Sequence, residues 1–161
     1  SRELAVADSQ GQPRSVRVQT LSIYLEQCLT AVLEAHSDAN GIVWPTSAIA
    51  PFAVAILLLD ASMPDLRQAA ESMLAELRGA GFACLLDDRS ERPGAKFADA
   101  DLLGHPVVVI VGKRLVNEGL VEVRRRADRL ERVVTPAAVL PTVRGLLTAE
   151  STDGGVADEL A

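Results

Sequence analysis

Aromatic side chains are scarce in this sequence: three Phe, one Tyr and one Trp make up 3% of 161 residues. A core must therefore be assembled from Leu, Val, Ala and Ile, and the length suits one domain with an appendage. Cysteine is nearly absent too. Cys28 and Cys84 both lie in apolar patterns without metal-ligand spacing, and they read as buried free thiols of a protein kept in a reducing cytosol. No metal or cofactor is implied. No apolar run approaches the ~20 residues that span a bilayer, and no basic-then-apolar leader opens the chain, so a cytoplasmic protein is expected. An excess of basic charge is also missing. Sixteen Lys and Arg face 22 Asp and Glu, a net charge of -6, which argues against indiscriminate nucleic-acid binding driven by phosphate neutralisation. The charge is uneven, however: Arg124, Arg125, Arg126, Arg129 and Arg132 cluster, while acids crowd the C-terminal tail. That cluster reads either as a solvated face or as a basic face for a folded RNA.

What is present has a clear grammar. An apolar run from Phe82 to Leu86 stops at Asp87 and Asp88; a polar turn with Pro93 and Gly94 leads to a helix-like segment, Lys96 to Leu103. A second apolar run, Val107 to Val111, is stopped by Gly112. Strand, turn, helix, strand is the pattern of a crossover unit in a parallel sheet, whose ligands gather beyond the strand carboxyl ends. Upstream, Ala53 to Leu59 reads as a strand covered on both faces, and Pro64 starts a helix to Ala80 with Leu66, Ala70, Met73, Leu74 and Leu77 inward. Downstream, Leu120 to Arg124 and Arg132 to Val134 can pair as a hairpin, Pro136 starts a last helix to Leu147, and 149–161 reads as a mobile acidic tail. Ahead of all this, Val16 to Val18 suggests a short strand, and Leu21 to Ala35 a helix stopped by Asn40-Gly41. The expected fold class is α/β: a mixed five-stranded sheet with helices on both faces, preceded by a helical appendage. Its parts are residues 1–40, 41–148 and 149–161.

The stretch DDRSERPGAKFADADLLGHP, Asp87 to Pro106, with NGIVWPTSAIAPFAVAILLLD before it and VGKRLVNEGLVEVRRR after it, resembles the C-terminal anticodon-binding domain of bacterial prolyl-tRNA synthetase, a class II enzyme. A likeness from Asn40 to Val134 is far more specific than a four-residue pattern. It implies that Lys96, Phe97 and Asp101 fall where anticodon bases are met, with Phe97 stacking on a splayed base and Asp101 accepting from a guanine edge. Phe97 reads equally as the apolar seat of its helix. Arg89, Lys113 and Arg114 complete the candidate RNA-binding set at the strand ends. Two departures stand against the family pattern. Val108 replaces a common basic residue, and Ala127-Asp128-Arg129-Leu130 replaces a Gly-containing turn, which predicts a looser one.

The segment before Asn40 departs further. The resemblance places class II motif 3 there, roughly GIGVSR, whose arginine contacts ATP phosphates. This chain reads Ser22-Ile23-Tyr24-Leu25-Glu26-Gln27: both glycines and the arginine are gone, and Gln27 brings no charge to oppose a triphosphate. Residues 1–40 are thus expected to be a degenerate catalytic remnant, kept as an amphipathic helix packed on the domain, and the chain is not expected to be an enzyme. Other residues read blandly. Asp87 and Asp88 are adjacent, so they point to opposite sides of a strand and organise the loop through Arg89 or Arg92 rather than catalyse. Trp44 is a packed linker anchor and His105 a spacer. The resulting expectation is a non-catalytic relative of that domain, binding tRNA, proline tRNA included, or assisting a synthetase. The alternatives are a protein-interaction module that kept the fold without RNA binding, and a C-terminal fragment of a longer synthetase-like chain.

Overall fold

A computed structural model describes residues 5–16 and 19–148. The expected tail, 149–161, lies outside the described residues, as do 17 and 18 of the strand expected at Val16 to Val18. The chain divides into two compact units, Ser1–Thr30 and Ala31–Ala161. In the first, β1 (Ala5–Ala7) and β2 (Pro13–Ser15) form an antiparallel hairpin. Its turn is set by Asp8, whose carboxylate accepts from the amides of Gln10 and Gln12, a local preference of Asp.

Helix α1 (Leu25–Ala35) begins four residues later than its apolar spacing suggested. None of its residues is buried; Leu21, Ile23, Tyr24, Leu25 and Leu29 are exposed, and so is Cys28. The expected covered stripe and buried Cys28 are therefore corrected. Periodicity reports which residues share a face, not what covers it. Nor do Asn40 and Gly41 stop this helix. They belong to a small hairpin of β3 (Ser37–Asp38) and β4 (Gly41–Ile42), where the Asp38 carboxylate accepts from both amides.

The main sheet holds β5 (Val54–Leu58), β6 (Cys84–Asp87), β7 (Val107–Val111), β8 (Val121–Arg125) and β9 (Glu131–Val134), in the order β6-β5-β7-β8-β9. β5 runs parallel to β6 and β7; β8 runs antiparallel to β7, and β9 antiparallel to β8. The chain steps outward from β5 to β6 through α2 (Pro64–Gly79), then back past β5 to β7 through α3 (Pro93–Leu103). Reversing direction with crossovers of one hand puts the two helices on opposite faces. Pro93 is the first residue of α3, a position that suits its missing N–H, rather than part of a turn ahead of it. A short helix, α4 (Lys113–Glu118), follows β7 where none was anticipated; six residues are too few to show a period. The last helix, α5 (Val139–Thr148), follows a 3₁₀ turn at Pro136–Ala138.

Two cores result. On one face Val54, Ile56, Val109 and Val123 pack with Leu66, Met73 and Leu77 of α2 and Val143 and Leu146 of α5. On the other, Ala55, Leu57, Val108 and Ile110 meet Ala100 and Phe97 of α3. β5 and β7 are buried throughout, which is why they read as unbroken apolar runs. The fold class is as expected. Cys84 is buried.

The hairpin of β3 and β4 is fastened to α3 by backbone contact. Gly104, in the left-handed conformation that ends α3 (φ 69°), lies so close to the Ile42 carbonyl that a Cβ would sit 2.2 Å from its oxygen. Gly41 (φ 140°) presses on the backbone of Asp101 and Leu102 in the same way. Trp44 is the anchor expected: its Nε1 donates to the Leu103 carbonyl at 3.0 Å.

Candidate nucleic-acid interface

Of the six residues expected to meet RNA, α3 separates two groups. Toward edge strand β6, Arg89 donates to both carboxylate oxygens of Asp87, at 3.0 and 2.8 Å, and reaches Asp99 at 2.7 Å. These bonds hold the Asp87 carboxyl below its ordinary range against the opposing effect of burial, with the Arg89 amide and the Lys96 charge assisting. They also push the Arg89 guanidinium up. Lys96 lies beneath. Its side chain is 0% exposed, and its ammonium donates to the carbonyls of Leu58 at 2.6 Å and Asp87 at 3.1 Å. It ties two strand ends together rather than standing among the surface cations. Asp87 thus organises the loop through Arg89, as the sequence suggested, while Asp88 turns away to Arg67 at 3.1 Å.

Phe97 and Asp101 occupy the other flank of α3, one turn apart and so on one side. Val121 and Val123 are buried, so alternation puts Glu122 and Arg124 on the α3 side of β8, opposite Ile110 and Val108. The Arg124 guanidinium lies over the Phe97 ring, 5.7 Å from its centroid, and bonds Asp101 at 2.8 Å. Next along, Arg114 of α4 donates to Glu122 at 2.6 Å and pairs with Glu118 at 3.5 Å. Lys113 opens α4 near Asp60, whose carboxyl is held low mainly by hydrogen bonds from Ser62, with Lys113 adding its charge.

Arg124 is the member of this cluster that the sequence reading set apart, with the arginine run. Arg124, Arg125 and Arg126 are 19%, 18% and 5% exposed, and each is answered by an acid: Asp101, Asp128 and Asp38. The Arg125–Asp128 pair also corrects the expected loose turn. Asp128 accepts from the Leu130 amide, its carboxyl lowered to about 2 chiefly by Arg125, and Arg129 takes a left-handed φ of 57°. A cavity of about 170 Å³ between these groups is lined by Asp101, the three arginines, Arg129 and Glu131.

A ring under a guanidinium, with a carboxylate beside it, can stack on a flat base and accept from its edge. Among the described residues no group of three His, Cys, Asp or Glu is placed to hold a metal ion, and no helix is long and apolar enough to cross a membrane.

Comparison with known proteins bears on the family of the fold. Residues 53–146 match the family described as the anticodon binding domain. The chain is 41% identical over 146 residues to the proline–tRNA ligase of Desulfotalea psychrophila, covering 91% of this chain and 25% of that one. It is 44% identical over 140 residues to the proline–tRNA ligase of Methylobacterium nodulans, covering 87% and 31%. The Geobacillus sp. counterpart is 39% identical, covering 87% and 24%. The chain spans about a quarter to a third of the length of these curated relatives.

Proposed function

Because the chain belongs to the anticodon-binding domain family, we propose that it is a non-catalytic, prolyl-tRNA synthetase-like module of the cytosol that binds tRNA, or assists a synthetase in doing so. The observation that carries this reading is the group formed by Phe97, Arg124 and Asp101. The aromatic ring and guanidinium supply a platform for a splayed base, and the carboxylate discriminates its edge. Lys113 and Arg114 supply phosphate contacts on its side of α3, and Arg89 one on the other flank. Lys96 contributes by fixing the strand ends beneath. Ser22, Tyr24 and Gln27 in place of the glycines and arginine of an ATP-binding motif support the absence of catalysis. A fluorescence-anisotropy titration with a proline tRNA and with the same tRNA altered in its anticodon tests it. Tighter binding of the unaltered tRNA is expected; equal, negligible binding of both at low salt overturns it.

One observation favours a second reading, a protein-interaction module. Arg89, Arg114 and Arg124 are each paired with an acid of the same chain, which reduces the net positive charge available to a polyanion. Recovery of a protein partner at full yield after ribonuclease treatment, together with no affinity for tRNA, selects that reading.

A further inference from the structure

On the β6 flank of α3, away from Phe97 and Arg124, a cavity of about 330 Å³ opens between the helix and the sheet. That volume is within the range of small-molecule sites. Ala55 on β5 and Ala100 on α3 contribute only methyl groups to it, and Leu57, Leu85 and Leu103 add apolar wall. The gap lies between the sheet and α3. At one end stand Asp87, Asp99, Arg89 and Lys96, already bonded to one another. Two carboxylates answer two cations, so this end calls for no charge on a ligand.

The other end holds His105, which is 5% exposed. Its Nδ1 lies 3.4 Å from the Phe52 carbonyl. A carbonyl only accepts, so Nδ1 carries the hydrogen and Nε2 keeps a lone pair. Nε2 has no partner among the described residues. Burial pushes the His105 pKa down, so the ring is neutral at pH 7 and the lone pair remains. A buried acceptor without a donor is costly, and a ligand supplying one relieves that cost.

We propose that this slot is a second binding site, for an uncharged, flat, mostly apolar ring compound that donates one N–H to His105. Indole serves as the probe, and 1-methylindole as its control without the donor. In an amide-resolved NMR titration of the full chain, indole is expected to give saturable shifts around Ala55, Leu85, Ala100 and His105. 1-Methylindole is expected to bind about tenfold more weakly, the loss of one hydrogen bond to a buried acceptor. Ala100→Leu fills the slot and abolishes indole binding, while His105→Phe keeps a ring there and makes the two indoles equivalent. Non-saturating or scattered shifts overturn the proposal, as does equal affinity of the two probes for the unaltered protein. Undiminished indole binding in a folded Ala100→Leu overturns it as well. If Ala100→Leu does not fold, His105→Phe decides: preference for indole surviving in it refutes the site. None of these outcomes depends on RNA.

Discussion

Asp38 and Arg126, 88 positions apart in sequence, meet in a two-pronged ion pair, with Nη1 and Nη2 donating to the two carboxylate oxygens at 2.9 and 2.7 Å. Arg126 is 5% exposed, so Asp38 is the principal answer to a nearly dry charge. Those hydrogen bonds hold the Asp38 carboxyl far below its ordinary 3.8, with the Asn40 amide adding to them. A carboxyl depressed on folding stabilises the protein above its unfolded value, and the contribution is lost as pH falls through the folded one. The unaltered protein is therefore expected to melt higher than Asp38→Asn at pH 7. That gap narrows progressively below about pH 4, the unfolded carboxylate range. Thermal melts of both at pH 7, 4 and 2.5 check this; a gap that widens in acid contradicts it.

Lys96 gives a different signature. Replacing it by Ala leaves the Leu58 and Asp87 carbonyls without their donor and Asp87 without a buried cation, at a cost of about 2–4 kcal/mol. Urea unfolding measures it. Arg89→Ala, at a half-exposed position, is expected to cost less than Lys96→Ala, and the reverse order would place Lys96 in water.

Gly104→Ala forces a side chain onto a left-handed residue and into the Ile42 carbonyl. The conformational strain alone is about 1–3 kcal/mol, and the clash adds to it because the new Cβ meets backbone atoms, which cannot swing aside. Gly119, also left-handed but with open space around it, is the control: Gly119→Ala is expected to cost less. Equal losses on chemical denaturation would mean that the hairpin of β3 and β4 does not press on α3.

On tRNA, Phe97→Ala is expected to cost about 1–3 kcal/mol, roughly 5- to 150-fold in affinity. Asp101→Ala relaxes discrimination among anticodon bases and releases Arg124 from its partner. Lys113→Ala weakens every RNA alike and lowers the salt slope by about 1. Salt-dependent titrations separate the three; a uniform effect of all three variants would remove base recognition from this surface.

Proline-dependent pyrophosphate exchange is expected to stay at the level of a protein-free control, since Gln27, Ser22 and Tyr24 offer triphosphate neither a charge nor a close backbone. Turnover above that control refutes the non-catalytic reading.

The sheet was legible because its evidence is local. Runs such as Val107 to Val111 and the stripe Leu66, Ala70, Met73, Leu77 state their own periods. The partners of polar residues were not, because they are set by topology. Asp38 and Arg126 look like a turn acid and one of a basic run until β8 brings them together. Lys96 looked like a surface cation although its neighbours Phe97 and Ala100 are apolar, a hint that its stem is covered. Arg124 was within reach: buried Val121 and Val123 fix its face, and Phe97 and Asp101 one helical turn apart fix theirs. The exposure of Cys28 and Leu29 had no signal, because an apolar stripe looks the same whether or not anything lies on it.

The interior strand β5 carries a consequence for how the chain is made. Val54 lies between Cys84 and Val107 in the sheet, so β5 leaves the ribosome with neither neighbour yet synthesised. Its second neighbour follows some fifty residues later, about 3–10 s at ordinary synthesis rates. Its first neighbour, β6, comes some thirty residues after it, and until β7 follows, one edge of Val-Ala-Ile-Leu-Leu, buried on both faces in the finished protein, stays unpaired. The nascent chain is most vulnerable to association then, and a pause between β5 and β7 lengthens the window.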